Sequence, residues 1–67
     1  RNLEAAKLEL TQRQREVFEL SREQGMPISM IADRLGISEQ TVKNQLTNAL
    51  KTLREKLRRY SFFLFFL

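Results

Sequence analysis

The run Ile28-Ser29-Met30-Ile31-Ala32-Asp33-Arg34-Leu35-Gly36-Ile37-Ser38-Glu39-Gln40-Thr41-Val42-Lys43-Asn44-Gln45-Leu46 decides the fold. Ala32, Gly36 and Val42 stand where two steeply crossing helices need a small contact, a turn able to take positive φ, and a branched apolar plug. The pattern predicts a helix-turn-helix over about residues 28–47. Such a unit lays its second helix in the major groove of duplex DNA, so the first expectation is sequence-specific binding rather than catalysis.

Working outward, the period is helical throughout. Leu3, Ala6, Leu8 and Leu10 mark a short first helix. Thr11 with Gln14 three residues on reads as a capping box opening a helix from Gln12 to Gln24, whose buried stripe is Val17, Phe18 and Leu20, edged by Gln14 and Ser21. Gly25 ends it, and Pro27 has the fixed φ suited to the first position of the next helix, expected from about Ile28 to Leu35. Ile28, Ile31, Ala32 and Leu35 form that helix's inward set. Gly36 closes it and Ser38 caps the last helix, whose apolar positions Val42, Leu46, Ala49, Leu50, Leu53 and Leu57 recur at three- and four-residue steps. The expectation is one all-α domain, a small bundle of about four helices spanning residues 1–67.

Composition narrows the function. Sixty-seven residues make one small domain, which buries only about 60% of its unfolded surface and depends on well-packed helices. With no Cys and no His, thiol and imidazole catalysis and the usual zinc ligands are absent, so no enzyme, metal site or cofactor is expected. The lack of Cys fits a reducing compartment, and the longest apolar run, Phe62 to Leu67, falls far below the roughly 20 residues of a bilayer span. The chain starts at Arg1 without a Met and carries no signal-peptide pattern. The chain therefore reads as a domain excised from a larger cytoplasmic protein.

The net charge of +4 informs once it is located. Residues 1–38 balance six basic against six acidic side chains. The excess follows Ser38, where Lys43, Lys51, Arg54, Lys56, Arg58 and Arg59 face only Glu39 and Glu55. The positive field thus falls on the helix assigned to the groove.

At about 100° per residue, the inward face of that helix holds Val42, Leu46, Ala49 and Leu53, leaving Gln40, Thr41, Lys43, Asn44, Thr47, Asn48 and Lys51 on or beside the outward face. Gln and Asn pair with adenine, Thr meets a thymine methyl, and Lys serves guanine or phosphate. Glu39 either accepts from a cytosine amino group or complements its own helix N-terminus. Ser38 is foremost a cap, although a cap and its N–H groups also hold phosphate. Lys51, Arg54 and Arg58 read as backbone contacts or solvated charge rather than as base readers.

The runs L-T-Q-R-Q-R-E-V-F-E-L, I-A-D-R-L-G-I-S-E-Q-T-V-K-N-Q-L and A-L-K-T-L-R-E-K-L resemble the C-terminal promoter-recognition domain, region 4, of bacterial RNA polymerase sigma factors, especially the extracytoplasmic-function class. The resemblance implies transcription initiation by reading the −35 promoter element with the recognition helix, while earlier helices grip the flap of the polymerase β subunit. By position it assigns DNA contact to Glu39, Gln40, Thr41, Lys43, Asn44, Thr47 and Asn48, and polymerase contact to the helices holding Leu10, Val17, Phe18 and Leu20. It makes promoter DNA, the polymerase core and an anti-sigma factor the expected partners.

Three departures accompany it. Pro27, Ile28, Ser29 and Met30 stand where members commonly place a Ser cap and acidic residues, so that helix starts less regularly and exposes more apolar surface. Amides and Thr replace arginines near Gln45 to Asn48, which implies a different base preference. The tail, residues 60–67, carries four of the five Phe; it folds back on the core, docks on polymerase or an anti-sigma partner, or forms a structureless end. The competing resemblance is to the DNA-binding output domains of response regulators and quorum-sensing activators. Those usually have a shorter link than Ser21 to Pro27 and a shorter last helix.

Overall fold

The computed structural model describes residues 2–58. Helices α1 (Asn2–Lys7), α2 (Gln12–Phe18), α3 (Ile28–Leu35) and α4 (Glu39–Leu57) follow in order, with a π-helical turn at Glu19–Glu23 between α2 and α3. No strand occurs among the described residues, so the domain is all-α, a small bundle containing a helix-turn-helix. The aromatic tail, with each reading of its role, lies outside the described residues.

Local chemistry sets most of the boundaries. Thr11 is extended, its Oγ1 accepts from the Gln14 N–H and the Gln14 side chain accepts from the Thr11 N–H, both at 3.1 Å. The expected capping box therefore opens α2. Upstream, α1 ends in a tightened turn in which the Leu8, Glu9 and Leu10 N–H groups reach back three residues. Arg15 then donates to the Lys7 and Leu10 carbonyls, each at 3.3 Å, supplying partners that a helix end lacks. This early ending corrects one expectation: Leu8 projects outward, 74% exposed, while Leu10 swings into the core.

The helix expected from Gln12 to Gln24 changes character at Glu19. The Gln24 N–H bonds to the Glu19 carbonyl at 3.0 Å, a five-residue step, and the Met26 N–H bonds to the Leu20 carbonyl at 2.9 Å. Such widening is rare as continuous helix but recurs as a single turn where tertiary contacts demand it. Gly25 then ends the turn at φ 69°.

Helix α3 runs over Ile28–Leu35, the expected bounds, with Pro27 as its extended cap rather than its first helical residue, and no side chain caps that end. Met30 in its first turn is 52% exposed. The C-terminus of α3 is better finished. Gly36 adopts φ 68°, the Ile37 N–H reaches the Ala32 carbonyl at 3.1 Å and the Gly36 N–H reaches that of Asp33 at 3.4 Å. This pair of bonds requires a left-handed residue, which Gly supplies without a Cβ penalty.

Two apolar clusters hold the helices together, and α4 contributes to both. One joins Val17, Ile31, Ala32 and Val42, with Leu20, Met26, Ile28, Leu35 and Ile37 around them. The other joins Ala6, Leu10, Phe18, Ala49, Leu50, Leu53 and Leu57, with Leu3 alongside. Leu46 packs against both. Complete burial of Val17, Ile31, Val42 and Leu53 stabilises the fold by about 1.5–3 kcal/mol per side chain.

One charge is inside. Lys7 is only 4% exposed, and its ammonium lies 2.8 Å from Glu23, 3.0 Å from Glu19 and 3.2 Å from Glu4. Burial alone pulls the ammonium's pKa down, but the bonds to Glu23, Glu19 and Glu4 outweigh it and hold it above the ordinary lysine value. Within the π-helical turn Glu19 and Glu23 fall on one face, so both reach Lys7. The ion cluster fastens α1, too short to persist alone, to the rest of the domain.

Candidate nucleic-acid interface

The first turn of α4 is fixed by its own cap. Ser38 is extended at φ −75° and ψ 158°, and its Oγ accepts from the Thr41 N–H at 3.0 Å while donating to Thr41 Oγ1 at 2.9 Å. The Val42 N–H closes the first intrahelical bond on the Ser38 carbonyl at 3.0 Å. Glu39 in the first turn complements the positive end of the helix dipole. Of these bonds, the two made by the Ser38 Oγ are ones that Ala at position 38 cannot make.

Rotation about the α4 axis is fixed by burial. Val42, Ala49, Leu50, Leu53 and Leu57 are buried and Leu46 is half-buried, which turns the opposite side of the helix to solvent. Gln40, Asn44, Thr47 and Lys51 form the centre of that exposed stripe, and Arg54 and Arg58 continue it. Lys43 and Asn48, also exposed, flank it on opposite edges. The stripe runs from amides and a hydroxyl near the cap to cations at the far end. From Gln40 to Lys51 it extends roughly 16 Å, about three helical turns.

Ser38 and Glu39 are exposed but lie at the corner rather than on the stripe. Thr41 differs from its neighbours: it is half-buried and its hydroxyl is engaged by Ser38, so it serves the cap. Among the described residues no carboxylate pairs with Lys43, Lys51, Arg54 or Arg58, whereas Lys56 lies 3.7 Å from Glu9. The stripe's cations keep their charge available for an external anion.

The residues expected at a polymerase contact are placed otherwise. Leu10, Val17 and Phe18 are core side chains, buried because they fill the two clusters, and Leu20 is half-buried against the helix-turn-helix core. As direct contacts Leu10, Val17 and Phe18 are corrected: they shape the α1–α2 surface from within. Sequence reasoning also missed the hydrogen bond from Gln40 Nε2 to Asn44 Oδ1 at 3.1 Å, for which the four-residue spacing of two amides was the available signal.

Among the described residues no helix is long and apolar enough to cross a membrane. A family model described as sigma-70, region 4 matches residues 1–53, which takes in all of the described elements up to the last turn of α4. No curated protein and no solved structure matches the chain.

Proposed function

The chain belongs to the sigma-70 region 4 family, DNA-binding domains that act at promoters with RNA polymerase and are not enzymes, and from that premise we propose that it reads the −35 element through the outward stripe of α4. The reading includes membership of the extracytoplasmic-function class and action in the cytoplasm. The regulator-type output domain, the alternative raised by the sequence, is set aside by the family match.

One observation carries the proposal: a helix capped at Ser38 and buried along one whole side presents Gln40, Asn44 and Thr47, followed by Lys51, to solvent. Amides near the helix start suit base edges, and cations further on suit the phosphate rail as the straight helix leaves the curved groove. Ser38 and the free N–H groups beside it suit a phosphate at the groove's edge. Lys43 and Asn48 border the contact, and Glu39 and Thr41 shape its near corner. On the opposite side, the β-subunit flap engages the surface of α1, α2 and the π-helical turn, which Leu10, Val17 and Phe18 hold in shape from beneath and Leu20 reaches. Simultaneous grip on DNA and flap makes weak single contacts sufficient. An anti-sigma partner would act by covering either surface.

The test is a base-substitution scan on a duplex selected by the chain from random sequence. Asn44→Ala is expected to relax preference at one base pair by about 1–3 kcal/mol, whereas Lys51→Ala weakens every duplex alike. Equal losses on all duplexes for both variants would remove the assignment.

A further inference from the structure

An amide side chain is an ambiguous reader. Turned through half a rotation it exchanges donor for acceptor, and a base edge matched by one orientation is opposed by the other. Gln40 and Asn44 stand one turn apart at the centre of the exposed stripe, and Gln40 Nε2 donates to Asn44 Oδ1 at 3.1 Å. The bond couples the two orientations, since turning either amide alone breaks it, and with Gln40 as the donor it sets that of Asn44. Its oxygen faces Gln40, so its Nδ2 with two N–H groups is the end left for an external partner. Gln40 keeps its own oxygen and one N–H.

Resting on α4 as the groove helix, we infer that Gln40 and Asn44 read DNA as one coupled unit, in which Gln40 positions Asn44 as a hydrogen-bond donor toward an acceptor on the base edge. Purine N7 and thymine O4 are such acceptors, while the cytosine amino group meets Asn44 donor to donor. Gln40 acts here through Asn44 as well as on its own base. The coupling is set before DNA arrives, because both side chains are exposed and already joined in the free domain. Preorganisation of this kind sharpens discrimination without adding a contact.

The experiment uses the chain with the selected duplex, substituted one base pair at a time, and compares base ranking rather than total affinity. Asn44→Ala first identifies its base pair as the one where preference flattens. Gln40→Ala is expected to flatten preference at that same pair as well as at its own, and the double variant should rank bases there no worse than Asn44→Ala alone. The departure from independent effects should exceed about twofold. Gln40→Glu, which only accepts, should turn the Asn44 amide round and shift the ranking at that pair toward bases that offer an amino group. Uniform loss from the added negative charge cancels in the ranking. Effects that fall on separate base pairs and simply multiply would overturn the coupling and leave the groove reading intact. No change of ranking in any variant would remove the groove reading itself.

Discussion

The two ends of α4 are held by different means, and the difference follows what each end presents. At the near end, Val17, Ile31, Ala32 and Val42 form a small cluster of compact side chains beneath a corner fixed by Gly36 and Ser38. At the far end, longer side chains, Leu50, Leu53 and Leu57 with Leu10 and Phe18, fill the space below a stripe of cations, and the Lys7 ion cluster fastens α1 over them. A hydrogen bond to a base edge fails with small displacement, whereas attraction to phosphate falls off slowly. The end that must be placed accurately has the tight caps and branched residues; the end that supplies field has leucines.

The largest effects should come from the clusters themselves. Ile31→Ala at the near end and Leu53→Ala at the far end should each cost about 2–5 kcal/mol, read from urea melts, and each should shift one common transition because α4 and Leu46 belong to both clusters. Two resolved transitions would show that the ends fold separately and would break the comparison. Lys7→Met removes the far-end fastening and leaves three partly solvated carboxylates without a counter-charge. It should cost about 1–2 kcal/mol and leave base ranking unchanged. The pH dependence has a fixed sign. With the folded-state pKa of Lys7 raised, its contribution is complete below the ordinary value of about 10.5 and declines only as pH rises through the higher folded value. The advantage of the native residue over Met should therefore hold constant from neutrality to about pH 10, as measured by thermal melts.

Smaller changes sharpen the contrast at the near end. Ser38→Ala should cost about 1 kcal/mol of stability and also blur base ranking. Gly36→Ala should cost a similar amount, about 1 kcal/mol, from its positive φ alone, since a Cβ there meets nothing within 4 Å. Smallest in stability is Lys51→Ala, expected within about 0.5 kcal/mol of the parent. Its signature is instead a salt slope of log affinity reduced by about 0.9.

Much of this arrangement was legible in the sequence because its signals are local. Thr11 with Gln14, Gly36 and Ser38 act on backbone groups within a few residues, and the leucine steps of α4 fix its buried side without reference to another helix. What escaped depends on distant neighbours. Lys7 looked like one more balanced charge; its burial needs α1 folded against Glu19 and Glu23, remote in the chain. The widened turn at Glu19–Glu23 has no composition signal, since its residues would also continue an α-helix. Leu8 followed the apolar period but lies beyond the end of α1, whereas Val17 and Phe18, read as a buried stripe, do lie in the core. For the outward stripe of α4, the wheel identified which side chains are exposed, while the Gln40–Asn44 bond required rotamers that periodicity does not carry.

The most direct test of α4 as the DNA face is amide and side-chain chemical-shift mapping of the chain as duplex is added. The account predicts the largest changes at Gln40, Asn44, Thr47 and Lys51, with α1 and the π-helical turn unmoved. Shifts concentrated on α1 and Glu19–Glu23, with the α4 stripe silent, would contradict it.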